Sequence, residues 1–139
     1  MARVIVTAHI ENVFDRIAAD EGRLPVADIR AVEVTDAVVS PGSPGLSMPA
    51  KLLARLGLQH LRSTTIRTSA GEVSVRIFGT ARLTIQGRDC PVDITELPDG
   101  CPVLIGQIPL EAMDFVVDRG KHALVGNPAH GGEHVIELY

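Results

Sequence analysis

The feature that most constrains the fold is a series of short segments in which apolar and polar residues alternate. Residues 73–77, 81–85 and 90–94 each place Val, Ile, Leu, Ala or Cys at every second position. Turn residues separate these segments about every 8–12 positions, which is typical of antiparallel β structure. Alternation with a period of two buries one face of a strand and exposes the other. The sequence therefore predicts a single all-β domain in which the sheet is closed or sandwiched.

Composition supports this reading and excludes some classes of function. The 139 residues fit one domain, and with one Tyr, three Phe and no Trp the core must be built from Val, Ile and Leu. The formal net charge is −4 and the basic residues are scattered, so we expect no nucleic-acid partner. No apolar run approaches the roughly 20 residues of a membrane span. We expect a soluble, cytoplasmic protein without membrane contact.

Three segments are predicted to be helical. Residues 12–30 form a helical excursion, with Asn12 as N-cap and Gly22 as its end. Pro49 suits the start of a second short helix that ends at Gly57. Residues 109–113 are long enough for one or two helical turns. At the end of the chain, residues 129–139 are predicted to be a tail that ends in a strand.

The turn in residues 40–45 interrupts the chain more sharply than any other. Val32, Val34 and Val38 are predicted to share one face of the strand that leads into it. The turn itself reads Ser-Pro-Gly-Ser-Pro-Gly, and neither a strand nor a helix can continue through that sequence. In isolation it reads as a simple connecting turn.

The ordered set of flanking motifs gives this turn another meaning. An apolar strand enters it, a short helix ending in Leu56-Gly57-Leu58 follows, and residues 65–73 read as a hairpin. Two apolar residues and a glycine then precede the last helix, and residues 114–118 and 124–128 form a closing pair of strands. In this order, over residues 31–128, the segments resemble the retropepsin-like aspartic proteases, particularly their small bacterial members.

The resemblance implies a partly closed β-barrel of six to eight strands with two or three short helices. It implies a twofold-symmetric homodimer with Ser40 near the axis, and no cofactor or metal. A mobile flap over the substrate groove would have its tip at Thr68, Ser69, Ala70 and Gly71. The second signature of the family would be Leu104, Ile105 and Gly106.

The chain departs from the family at the catalytic triplet, where Asp-Thr-Gly is replaced by Ser40-Pro41-Gly42. Aspartic proteolysis needs two carboxyl groups that share one proton, one from each chain of the dimer. A serine hydroxyl carries no charge at neutral pH and cannot activate water alone. Pro41 has neither the hydroxyl nor the backbone N–H of the threonine it replaces. Asp36 lies about 13 Å upstream at ~3.3 Å per residue, too far to take over.

Two functions remain open at this point. The first is a catalytically inactive homologue that keeps a groove for an extended peptide segment and binds it by strand addition. The alternative is an aspartic endopeptidase whose aspartate has been lost from this particular sequence, by natural drift or by deliberate replacement.

Other chemistry-bearing patterns are weaker. Residues 130–134 read His-Gly-Gly-Glu-His and carry zinc-type ligands, but a polar tail loop explains them better. Ser40 and Ser43 lack the Gly-x-Ser-x-Gly spacing of a hydrolase nucleophile elbow. Cys90 and Cys101 are expected to be free thiols, with a local disulfide as the less favoured alternative.

Overall fold

The computed structural model of the protein describes residues 3–138, which are mostly β structure. The nine strands are Ile5–Asn12 (β1), Ala31–Val39 (β2), Leu46–Pro49 (β3), Gln59–Thr68 (β4), Gly71–Ile85 (β5), Arg88–Leu97 (β6), Leu104–Ile105 (β7), Phe115–Asp118 (β8) and Ala123–Gly126 (β9). The three α-helices are Val13–Asp20 (α1), Ala50–Ala54 (α2) and Gln107–Ala112 (α3). This confirms a mostly β chain with three short helices.

Seven of the strands form one sheet in the order β1-β2-β7-β3-β6-β5-β4. The long strand β5 makes this sheet a ring, because its second half also pairs with β1, from His9↔Thr84 to Asn12↔Ala81. Its first half extends beyond the ring and pairs with β4 as a hairpin arm. β8 and β9 form a separate antiparallel pair. The main sheet therefore has seven strands, within the six to eight expected, and the separate β8–β9 pair brings the total in the described residues to nine.

The core lies inside the ring and is aliphatic, as the scarcity of aromatic residues requires. The alternation is confirmed in the second half of β5, where Ala81 and Leu83 are fully buried and Ile85 nearly so. In the first half it buries no face before Ile77, and Val73 is 45% exposed. Leu46 and Met48 of β3 and Ile105 of β7 are also fully enclosed. Each buried aliphatic side chain of this size stabilises the fold by roughly 1.5–3 kcal/mol relative to full exposure. The short strands β3 and β7 are therefore fixed mainly by their side chains.

The predicted cap of the first helix is confirmed. The Asn12 side chain accepts a hydrogen bond from the Asp15 N–H (3.1 Å) and donates one to the Leu56 carbonyl (2.9 Å). The second bond fastens the start of α1 to the end of the segment that carries α2. Gly22 has φ +76, in the left-handed region that glycine tolerates, and follows the helix end. The rest of the predicted helical excursion contains only a 3₁₀ turn at Val26–Asp28.

One predicted face of β2 is wrong. Its pairing with β1 slips between Val6/Ala8, where two residues of β2 oppose one of β1. This β-bulge reverses the alternation. Ala37 and Val39, rather than Val38, therefore join Val32 and Val34 in the core cluster.

The predicted tail strand is also wrong where it is described. Residues 128–130 form a 3₁₀ turn and residues 134–138 have no regular structure, while Tyr139 lies outside the described residues. Within residues 3–138, no strand pairs with this segment. The tail is held instead by side chains that bind its backbone. No helix within residues 3–138 has the length and apolarity needed to cross a membrane.

Candidate functional site

The loop of residues 40–45 connects two strands that are consecutive in sequence but are not neighbours in the sheet. β2 leads into the loop and β3 leads out, and β7 lies between them. β7 runs parallel to β2, with Val39 opposite Ile105, and antiparallel to β3, with Leu46 opposite Ile105. The chain must therefore pass across the end of β7 to connect its two neighbours. The loop is held in place by this crossing.

Backbone hydrogen bonds fasten the loop to the segment that follows β7. The Ser40 N–H donates to the Ile105 carbonyl (2.8 Å), and the Gly106 N–H donates to the Gly45 carbonyl (2.9 Å). The first residues of α3 continue the pattern, since the Gln107 N–H donates to the Ser43 carbonyl (2.8 Å) and the Ile108 N–H to the Pro44 carbonyl (2.9 Å). The structure thus brings the two sequence signatures, at residues 40–42 and 104–106, into direct contact.

Gly106 is required by this close approach. A Cβ atom there would lie 2.4 Å from the Ser43 carbonyl oxygen and 2.6 Å from that of Gly45. Both atoms belong to backbone that is already hydrogen-bonded, so neither can move without breaking the crossing. At Gly42, by contrast, a Cβ atom would have no neighbouring atom within 4 Å, which makes this glycine a turn residue in open space.

Two hydroxyl groups occupy the inner side of the loop. The Ser40 and Ser43 Oγ atoms lie 3.1 Å apart, and both residues are half-buried. Residues 40–45 contain no titratable side chain. Two neutral hydroxyls can donate and accept hydrogen bonds, but they supply no general base to activate water or the serine itself. The two hydroxyls can therefore contact a polar group through hydrogen bonds.

The acidic residues considered from the sequence have other positions. Asp36 is exposed in β2 and precedes Ser40 by four residues in the sequence. The Asp93 Oδ1 atom accepts a bond from the Thr80 hydroxyl (3.2 Å), and the Asp99 Oδ1 atom accepts one from the Lys51 N–H (2.8 Å) at the start of α2. Asp93 therefore links β6 to β5, and Asp99 is bound at the start of α2.

The predicted hairpin is confirmed at its tip. β4 ends at Thr68 and β5 begins at Gly71, and the two residues are paired. The Thr68 hydroxyl donates to the Gly71 carbonyl (2.8 Å) and accepts from the Ala70 N–H (3.2 Å), which closes the turn through Ser69. All four tip residues are exposed.

An open groove runs from the loop along the side of the sheet. Its lining includes Pro44 and Gly45 of the loop, Ile108 and Pro109 of α3, and Ile77 of β5. Its remaining lining comes from β4, β6 and α3 and comprises Arg62, Pro91, Val92, Asp93, Thr95 and Ala112. Ile108 is 65% exposed, which is unusual for a residue next to a signature loop and leaves an apolar side chain free to contact a ligand.

The sequence reading missed a polar centre at Asp114. Its carboxylate accepts bonds from the His130 Nδ1 atom (2.6 Å), the Asn127 side chain (3.2 Å) and the Val135 N–H (3.1 Å). Burial opposes ionisation of Asp114, but these hydrogen bonds outweigh it and lower its pKa to about 2. The same bond raises the pKa of His130, with help from Glu137 at 3.6 Å. In the sequence, the one signal for this region was the His-Gly-Gly-Glu-His motif of residues 130–134.

The two histidines of that string have separate partners. The His134 Nε2 atom bonds to the Ala112 carbonyl (3.0 Å), away from Asp114. Across residues 3–138, no three His, Cys, Asp or Glu side chains come together as metal ligands would. The hydrogen bonds of the tail therefore attach the C-terminal segment to α3 and β8.

The two cysteines are free thiols, as expected. Cys90 is buried, and burial raises the pKa of its thiol to about 11, with a smaller contribution from Asp89. A thiol of this kind is protonated at neutral pH and is a poor nucleophile. Cys90 therefore acts as a small core residue.

No protein-family model matches the chain, and no curated protein matches it. Its function must accordingly be inferred from the loop, the groove and the hairpin arm themselves.

Proposed function

We propose that this chain is a catalytically inactive homologue of the retropepsin-like aspartic proteases that binds an extended peptide segment as a homodimer. The observation that carries the proposal is the contact between the two signature segments. By the resemblance, residues 40–42 correspond to the family's catalytic triplet, and their loop is hydrogen-bonded to Gly106, in the segment that resembles the second signature. This contact supports the proposal of an active-site-like loop from which the catalytic acid is absent.

The chemistry of the loop supports loss of catalysis. The pair of Ser40 and Ser43 hydroxyls, 3.1 Å apart, replaces the carboxylate that the resemblance requires. A shared-proton dyad depends on the mutual repulsion of two carboxylates, which raises the pKa of one of them. Hydroxyl groups have no such coupling and remain neutral across the physiological range.

The hairpin arm and the groove support peptide binding. β4 pairs only with β5 and forms the outer end of the seven-stranded sheet. A strand at the end of a sheet has unpaired backbone groups that can accept an added strand. The groove beside it is lined by Pro44, Ile77 and Ile108, which offer apolar contacts for alternate side chains of such a peptide.

The first test is peptide cleavage at acid pH. The unmodified protein and its Ser40→Ala variant should both show no cleavage of quenched fluorescent peptides above background, with or without a statine-containing inhibitor. Activity in the unmodified protein that survives Ser40→Ala would place the chemistry elsewhere and overturn the proposal.

The second test is binding. Fluorescein-labelled peptides with apolar side chains at alternate positions should raise the fluorescence anisotropy of the mixture on binding. Ile108→Asp should weaken this binding by about tenfold or more, because it places a charge in an apolar wall. Val26→Asp is the matched control, since Val26 is 66% exposed but does not line the groove. Equal loss in both variants would contradict a groove at Ile108.

A further inference from the structure

A second cleft lies on the side of the loop that carries Pro41. Its walls are apolar and come from four residues in four parts of the chain: Val4 before β1, Val39 at the end of β2, Pro41 in the loop and Val117 in β8. Val39 is buried and packs in the core, and its N–H donates to the Val4 carbonyl (2.9 Å). The floor of the cleft is therefore fixed by the sheet.

The rim of this cleft is cationic. Arg3, Arg119 and His122 line it, and no acidic residue does. Within residues 3–138, neither Arg3 nor Arg119 forms an ion pair with Asp or Glu. The charge of this rim is thus opposite to the net charge of the chain, which has 17 acidic and 13 basic residues. A cleft whose charge opposes that of the molecule attracts an anion while the rest of the surface repels it.

The combination of rim and walls defines the ligand. Two guanidinium groups are suited to a carboxylate, which each can bind through paired N–H donors. The walls consist of three valines and a proline, so they accommodate a compact apolar group, such as a Val or Leu side chain, better than a long acyl chain. We propose that this cleft binds the C-terminal carboxylate of a peptide whose last residue is aliphatic.

This site is separate from the groove described above, because the two share no lining residue. It does not depend on the peptide-binding function proposed for that groove. Loss of one site by mutation should leave the other intact, so the two proposals can fail independently.

The probe is N-acetyl-Val-Val-Leu with a free carboxylate, compared with the same tripeptide as its C-terminal amide. In a titration followed by ¹H–¹⁵N correlation spectra, the acid should shift the amide signals of Val4, Val39 and Val117. The amide should bind about tenfold more weakly, because it cannot form charge-assisted bonds with the rim. Hexanoate, a free acid with a linear chain, should also bind about tenfold more weakly than the tripeptide acid, since hydrophobic contact scales with the area that fits the walls.

Arg119→Gln should weaken binding of the tripeptide acid by about tenfold, and a rise in salt concentration should weaken binding to the unmodified protein. Arg55→Gln is the control, because Arg55 is exposed after α2 and does not line the cleft. Equal affinity for acid and amide, or no binding of the acid, would overturn the proposal. Hexanoate binding as tightly as the tripeptide acid would overturn the assignment to a peptide terminus.

Discussion

At the scale of single residues, the loop depends on one glycine that cannot be replaced and one that can. Gly106 lies against the Ser43 and Gly45 carbonyl groups, whereas Gly42 faces open space. From the sequence, Gly106 could be recognised only as the last residue of the segment 104–106, which resembles the second signature of the family. The reason for a glycine there is the crossing of two chain segments, and no local pattern reveals such a crossing.

Gly106→Ala should lower the free energy of unfolding by about 2–3 kcal/mol, as expected for overpacking against backbone that cannot relax. Gly42→Ala is the matched control and should change stability by less than about 0.5 kcal/mol. Urea denaturation of both variants measures the difference. Equal stability of the two variants would show that the loop does not pack against Gly106.

Asp114 is the other residue whose role depends on its partners. Its lowered pKa contributes stability that is present above its ordinary pKa of 3.8 and is lost as the pH falls through about 2. The stability contributed by His130 changes with pH in the opposite direction. Its raised pKa contributes stability that is present below 6.5 and is lost as the pH rises through the pKa of the folded state.

Asp114→Asn should return the pKa of His130 towards 6.5, because the charge and the strongest acceptor are removed together. Asn tolerates the positive φ of position 114, which is +58, so the backbone should be preserved. The measurement is an NMR titration of the imidazole signals. Asp118→Asn serves as control, since Asp118 bonds to the Lys121 N–H instead; a pKa of His130 that is unchanged in Asp114→Asn would contradict the pairing.

At the scale of elements, helices and hairpins were predicted from local signals and the pairing of strands was not. Asn12 and Gly22 bound α1 because capping and left-handed backbone are local properties. The bulge in β2 and the irregular tail depend on partners distant in sequence, so an alternating or apolar run could not reveal them. The replacement of Val38 by Ala37 and Val39 in the core is the clearest example.

The hairpin of β4 and β5 should be the first element to open. Its tip is exposed and makes only local hydrogen bonds, whereas the crossing at β7 is buried. Brief trypsin treatment should cut first after Arg67, and amide exchange at residues 66–73 should be fast. Arg88 is the internal control, because its guanidinium binds the Met113 and Asp114 carbonyl groups (both 2.9 Å). Early cutting at Arg88, or exchange at the tip as slow as at residues 103–105, would contradict this prediction.

At the scale of the whole molecule, the proposed homodimer would give a role to apolar groups that the single chain leaves in solvent. Ile136 and Leu138 in the tail are 61% and 95% exposed. A second copy with the loops of residues 40–45 facing each other would bring two Ser40 residues near one axis.

Light scattering during size exclusion at tens of micromolar protein should therefore report about twice the mass of one chain. Replacement of both Ile136 and Leu138 by Ser should shift the mass towards that of a single chain, because interfaces bury apolar groups at their centre. The exposed pair Ile17 and Val26, replaced in the same way, provides the control. A single-chain mass for the unmodified protein would exclude the dimer.

The most direct test of the central claim is to introduce Asp-Thr-Gly, the triplet of the proposed family, at residues 40–42. Ser40→Asp places one carboxylate on each chain, hence two in a dimer, and Pro41→Thr restores the missing backbone N–H and hydroxyl. The double variant should cleave peptides at acid pH, lose activity when both carboxylates ionise, and be inhibited by a statine-containing compound. Ser40→Asp alone should be slower, since a displacement of ~1 Å costs about a hundredfold in rate. A double variant that is folded and dimeric but no more active than the unmodified protein would contradict the reading of residues 40–42 as a degraded catalytic triplet.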